Sequence, residues 1–276
     1  VLTLHGGRVK GRRPVGRLDL PMLRMHAIAS AAHDDLAARG VVIWSLRYAV
    51  QGWNGTTASP VADAQWALAR IAATDDVPIA LLGHSMGGRT AMRVAGEANV
   101  AGVVALAPWF PPGEPLGEVA GRQLVIAHGT RDHTTDPRAS RRYAEDAERA
   151  GAHVRFVDVP GEGHALLRRS AWWNRFATES VLDVLMARQI AMRETGYSDP
   201  LAYLGLTKEP LERDGQPVPL RVSVGASDGG IASTRATWVG VRSPSRSSRR
   251  TAWSRSSTSC SPSSRRSCSS TAARST

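Results

Sequence analysis

Short, continuously apolar runs alternate with longer amphipathic stretches over the first two thirds of the chain. The runs are "VLTL" (1–4), "VVIWSLRY" (41–48), "VPIALLG" (77–83), "VAGVVALAP" (100–108), "LVIAHG" (124–129) and "HVRFVDVP" (153–160). They are apolar throughout rather than at every second position, as strands covered on both faces require. Six parallel strands are therefore predicted, with helices between them at 21–39, 60–74, 87–97, 137–150 and 165–186. Ser59-Pro60 and Asp136-Pro137 each place a capping residue before a proline at the first helical position. Gly40 and Gly151 stand where helices end on a left-handed glycine. The alternation predicts an α/β domain built on a mostly parallel, doubly wound sheet.

After residue 187 the alternation stops. "TKEPLERDGQPVPL" (207–220) is polar and broken by proline, so 187–240 is expected to be a linker or an irregular extension. From 241 to 276 the chain is mostly serine and arginine, with too few aliphatic residues to offset chain entropy, and disorder is predicted. This tail changes the meaning of the overall charge of +11: its eight arginines face no acid, which leaves +3 for residues 1–240. A basic tail could bind nucleic acid, yet the near-neutral body disfavours nucleic acid as the main partner. With 33 Arg against two Lys, the tail also has the composition of a frameshifted or read-through end. Both cysteines, Cys260 and Cys268, lie there, so the body has no thiol for a disulfide, a zinc site or catalysis. No apolar run approaches the roughly 18 residues that span a bilayer. The expectation is a cytoplasmic protein without a membrane span.

The chemistry concentrates at a pattern that occurs twice. G-x-S-x-G appears at Ser85 in "LLGHSMGG" (81–88) and at Ser227 in "VSVGASDGG" (222–230). A serine hydroxyl is a poor nucleophile near pH 7 until an imidazole takes its proton and a carboxylate holds that imidazole. Ser85 sits between a predicted strand and a predicted helix. It is followed by Asp132, just past a strand end in "HGTRD", and by His164, in the loop after the next strand. All three fall at the carboxyl ends of strands, where open α/β sheets gather ligands. Ser227 has no histidine after it. Asp136, the other candidate acid, is accounted for as a helix cap, and His153 begins a strand and so lies at the opposite rim.

"LHGG" (4–7), "GHSMGG" (83–88), "HGTRD" (128–132) and "GEGH" (161–164) together resemble the α/β-hydrolase superfamily over residues 1 to about 186. The resemblance implies Ser85 as nucleophile, His164 as general base and then acid, and Asp132 as the residue that orients it. It further implies an oxyanion hole made by the backbone N–H of Met86 and by one from Gly7 or Gly6. His5 and His128 are read as holding turns. Trp109, Phe110 and Trp53 are candidates for lining the substrate pocket, although covering core surface explains them equally well. Relatives in this superfamily begin with one or two further strands, so the N-terminus is expected to be truncated. Only "PPGEPLGEVAGR" (111–122) stands where many of them insert a helical cap. The expected activity is hydrolysis of a small-molecule carboxylic ester or related acyl bond without metal or cofactor; a peptidase, thioesterase or acyltransferase would use the same residues. The competing expectation is a non-catalytic or truncated hydrolase-like protein with a basic, nucleic-acid-binding tail.

Overall fold

The computed structural model describes residues 1–74 and 77–194, together with three short strands at 212–213, 216–217 and 237–239. Strand β1 (Leu2–Leu4) leads through a long loop to helix α1 (Leu20–Ala37), and β2 (Trp44–Arg47) to α2 (Ser59–Ala72). Then follow β3 (Ile79–His84), α3 (Met86–Arg93), β4 (Val100–Leu106), β5 (Gln123–Gly129), α4 (Pro137–Arg149), β6 (His153–Val159) and α5 (Ser170–Glu194). Strands β7 (Glu212–Arg213) and β8 (Gln216–Pro217) pair only with each other, and β9 (Thr237–Val239) pairs antiparallel with β2. The linker expected at 187–240 is thus described only for the end of α5 and these strands. Ser227, both cysteines and the 241–276 tail lie outside the described residues.

The main sheet runs β6-β5-β4-β3-β1-β2-β9, and the first six of these strands are mutually parallel. Alternate side chains on each strand serve two cores. Ile79 and Leu81 of β3 join α2, α3 and α4 on one face, whereas Ala80 and Leu82 join α1 and α5 on the other. This double cover explains why the strands read as unbroken apolar runs. β6 is the exception: it is an edge strand, and most of its residues are exposed or half-buried.

Helix ends depart modestly from the sequence expectation. Asp136 caps α4 by accepting the N–H of Arg138 at 2.9 Å, but Ser59 is the first residue of α2, and the capping position falls to Ala58. Gly40 and Gly151 adopt φ of 73° and 89°, the left-handed geometry glycine tolerates. α5 starts five residues later than expected because Leu166 turns with φ 56°. It then runs on to Glu194 because no glycine or proline interrupts "VLDVLMARQIAMRE".

The topology reverses direction between β1 and β3, since the chain moves from β1 outward to β2 and then returns to the other side of β1. Leu4 stands opposite Gly83 in the register, so the His5-Gly6-Gly7 loop and the turn at Ser85 leave the sheet side by side. In open parallel sheets this point forms the ligand crevice.

Candidate active site

Ser85 forms the turn between β3 and α3 with φ 56° and ψ −118°, a combination that non-glycine residues rarely adopt. The turn is held by hydrogen bonds rather than by its own preference. The Ser85 N–H donates to Leu106 O at 3.0 Å, and its carbonyl accepts from Gly88, Arg89 and Trp109. The two motif glycines allow the close approach. A Cβ on Gly87 would lie 2.0 Å from Leu4 O, and one on Gly83 would lie 2.3 Å from Gly87 O.

The Ser85 Oγ lies 2.9 Å from His164 Nε2, and His164 Nδ1 lies 2.7 Å from Asp132 Oδ2. Ser85 and Asp132 are buried, while His164 is half-buried. The structure thus brings together the three residues selected from the sequence. Asp132 is enclosed by donors: the N–H groups of Thr134 and Thr135 reach Oδ1 at 2.8 and 3.0 Å, and the Thr135 hydroxyl and His128 Nε2 reach Oδ2 at 2.9 and 3.1 Å. Burial alone would raise its pKa, but the hydrogen bonds from His128, His164 and Thr135 outweigh it and hold the carboxyl well below the usual carboxylate range. An ionised Asp132 keeps the Nδ1 proton on His164, so Nε2 faces Ser85 as an acceptor.

Two contributors were not visible in the sequence, and a third, His5, was read there only as holding a turn. His84 fills the variable position of the motif, yet its Nε2–H donates to the backbone carbonyl of His164 at 2.9 Å. The ring lies 5.0 Å from the His164 ring. Thr135 approaches both Asp132 and His164 Nδ1, at 2.9 and 3.1 Å. His5, assigned a turn-holding part, does more than that. Its Nε2 accepts the Tyr48 N–H at 3.2 Å, so its Nδ1–H donates to Gly6 O at 2.6 Å. In a trans peptide the Gly7 N–H points opposite to the Gly6 carbonyl, and His5 therefore fixes its direction. Gly6 packs against Ser85, with a Cβ there falling 3.5 Å from the Ser85 Cβ, and Gly7 packs against the Met86 side chain. Met86 opens α3, so its N–H has no carbonyl one turn back to receive it.

Burial pushes the pKa of His5 down to about 4 and that of His84 down to about 3. Both are neutral in the fold, whereas the unfolded chain protonates them near 6.5. Stability is therefore fully present above pH 6.5 and declines as pH falls, until about pH 4 for His5 and pH 3 for His84. At pH 4.5 the expected loss is about 2–3 kcal/mol per histidine. Urea unfolding at pH 7 and 4.5 measures it, and His84→Gln is expected to flatten the dependence; an unchanged slope would contradict the assignment.

The aromatic candidates pack around Arg89 and Tyr143. Trp53 is buried, and the Arg89 guanidinium lies 3.6 Å from its ring and 4.5 Å from that of Trp109. Arg89 and Arg93 both pair with Glu114, at 2.5 and 2.6 Å, which fastens the 111–122 segment onto α3. Phe110 stacks on Tyr143 with ring centroids 4.0 Å apart. A cavity of about 270 Å³ beside the Gly6-Gly7 loop is walled instead by Val15, Leu18, Leu20 and Pro21. Glu114→Ala leaves the buried Arg89 uncompensated and is expected to cost about 3–5 kcal/mol in chemical denaturation. A change below 1 kcal/mol would show the pair to be dispensable.

The six-stranded parallel sheet has the α/β-hydrolase fold, and the Ser85, His164 and Asp132 hydrogen-bond chain lies at its switch point. Residues 56–169 match the family model described as an alpha/beta hydrolase domain. An alpha-beta serine hydrolase homologue from Coxiella burnetii shares the fold with a TM-score of 0.50 at 17% identity, over 65% of this chain and 83% of that one. Est1E from Butyrivibrio proteoclasticus gives 0.48 at 14% identity, over 67% and 87%. XC6422 from Xanthomonas campestris, described as a serine hydrolase without lid, gives 0.48 at 18% identity, over 66% and 80%. No curated protein matches the sequence. Among the described residues no helix is long and apolar enough to cross a membrane, and no cluster of three or more His, Cys, Asp or Glu side chains could hold a metal.

Proposed function

We propose that residues 1–186 form a serine hydrolase that cleaves a small-molecule carboxylic ester or related acyl bond through an acyl-enzyme. The supporting observation is the unbroken chain from Ser85 Oγ through His164 to Asp132, with contacts of 2.9 and 2.7 Å. Ser85 Oγ attacks the carbonyl carbon while its proton passes to His164 Nε2, and the imidazolium is stabilised by Asp132. The resulting oxyanion is received by the N–H of Met86 and by that of Gly7, with Gly6 beside it; each well-placed donor is worth about 3–4 kcal/mol. As the tetrahedral intermediate collapses, the carbonyl–oxygen bond to the leaving alcohol breaks and His164 returns the proton to that alcohol. Water then repeats the sequence on the acyl-enzyme, releasing the acid and restoring Ser85.

The open approach favours water as the second acceptor. Only residues 107–122 link β4 to β5, and the Arg89–Glu114 pair pins part of that segment to α3. A fluorophosphonate probe tests the reading. Wild type is expected to be labelled at Ser85, and Ser85→Ala is not; equal labelling of the two would remove the proposal.

A further inference from the structure

Among the described residues, six large apolar side chains are markedly exposed, and five of them fall in two segments at the catalytic rim. Val9, Leu18, Leu20 and Leu23 follow β1 with exposures of 59, 81, 79 and 40%, and Leu167, three residues after His164, is 63% exposed. The two segments are tied together, since the Arg24 guanidinium donates to Ala165 O and Leu166 O at 3.0 and 2.6 Å. Cations are interleaved with these apolar residues. Arg8, Lys10, Arg12, Arg13, Arg17, Arg168 and Arg169 are all exposed, and none forms an ion pair with another described residue. Across residues 1–188 there are 22 Arg and Lys against 18 Asp and Glu, so these seven exceed the whole surplus of that segment. The one acid between residues 8 and 23, Asp19, is engaged by the Gly16 N–H and by Gln51 Nε2 at 2.9 Å each. Leu18 and Leu20 also wall the cavity beside Gly6 and Gly7, so this surface borders the loop that packs against Ser85 and Met86.

A solvated basic surface does not need four protruding aliphatic side chains. RNA would pair with the cations, but it draws on aromatic faces for its bases, and the two segments, 8–23 and 165–169, contain none. An anionic bilayer satisfies both features, because its phosphates attract the cations while leucines enter the boundary between headgroups and acyl chains. We propose that this rim docks on an anionic phospholipid surface, with the mouth of the candidate active site held against the bilayer. The docking is independent of the catalytic assignment and is expected of a protein unable to turn over.

Flotation of the full chain carrying Ser85→Ala with phosphatidylcholine vesicles, with and without phosphatidylserine, tests it. Binding is expected with phosphatidylserine and is lost in high salt. Combined Arg12→Gln, Arg13→Gln and Arg17→Gln should weaken it on the order of 100-fold. Leu18→Ser with Leu20→Ser should weaken it roughly tenfold or more at unchanged salt dependence. Every variant retains the arginine tail, so the tail cannot produce these differences. A polarity-sensitive fluorophore on Leu20→Cys, in a Cys260→Ser and Cys268→Ser background, should shift to the blue when the anionic vesicles are added. The proposal is overturned if both multiple variants bind like their parent, if the fluorophore does not shift, or if the chain binds RNA but no vesicle.

Discussion

Ser85→Ala is expected to lower turnover of a short activated ester by about 10⁵–10⁶-fold while leaving KM within a few-fold of wild type. The split follows from the geometry. The Ser85 hydroxyl is buried against His164; under the proposed mechanism it adds little to holding a ground-state substrate but forms the new bond in the transition state. The Met86 and Gly7 N–H groups survive the substitution, so some acceleration over water remains. His164→Ala is expected to cost a similar factor. The double variant should be hardly worse than either single one, because the two side chains act as one unit. Steady-state kinetics of the three proteins measures this. Independent, multiplying losses, or a Ser85→Ala protein within tenfold of wild type, would mean that another group attacks the substrate.

The second large effect concerns stability. Gly87→Ala is expected to cost about 4 kcal/mol or more, lowering Tm by about 8–16 °C. Its Cβ would stand 2.0 Å from Leu4 O and 2.7 Å from His5 O. Both are backbone atoms of a central strand and its loop, which cannot swing aside as a side-chain tip can. Separating α3 from β1 would open the core that Leu4, Leu81 and Met92 share. Gly55→Ala is the comparison: Gly55 has φ +66° but nothing within 4 Å of a Cβ, so only backbone strain of about 1–2 kcal/mol is expected. If calorimetry finds equal losses for the two, close approach is not what the motif glycine provides.

Much of this architecture was legible because the cues were local. The six strands stand out as apolar runs, and the candidate nucleophile, acid and base follow in order at strand ends. What stayed hidden depends on pairs distant in the chain. Nothing adjacent to His84 indicates that its ring reaches the backbone of a residue 80 positions later. Trp53 and Trp109 looked like pocket walls because both follow strands at the rim. Their partner, Arg89, lies one helical turn beyond the nucleophile, and a guanidinium buried between two indoles is not foreseen by periodicity. Similarly, Leu18 ends a basic loop and Leu20 opens α1, and the sequence gives no hint that they wall a cavity.

The bond from His84 to the His164 backbone has a mechanical consequence. His84, immediately before Ser85, holds the loop that carries His164, so the candidate nucleophile and base are linked through a contact other than their own. The spacing between Ser85 and His164 thus has a short tether of its own, in addition to the Arg24 bonds to Ala165 O and Leu166 O.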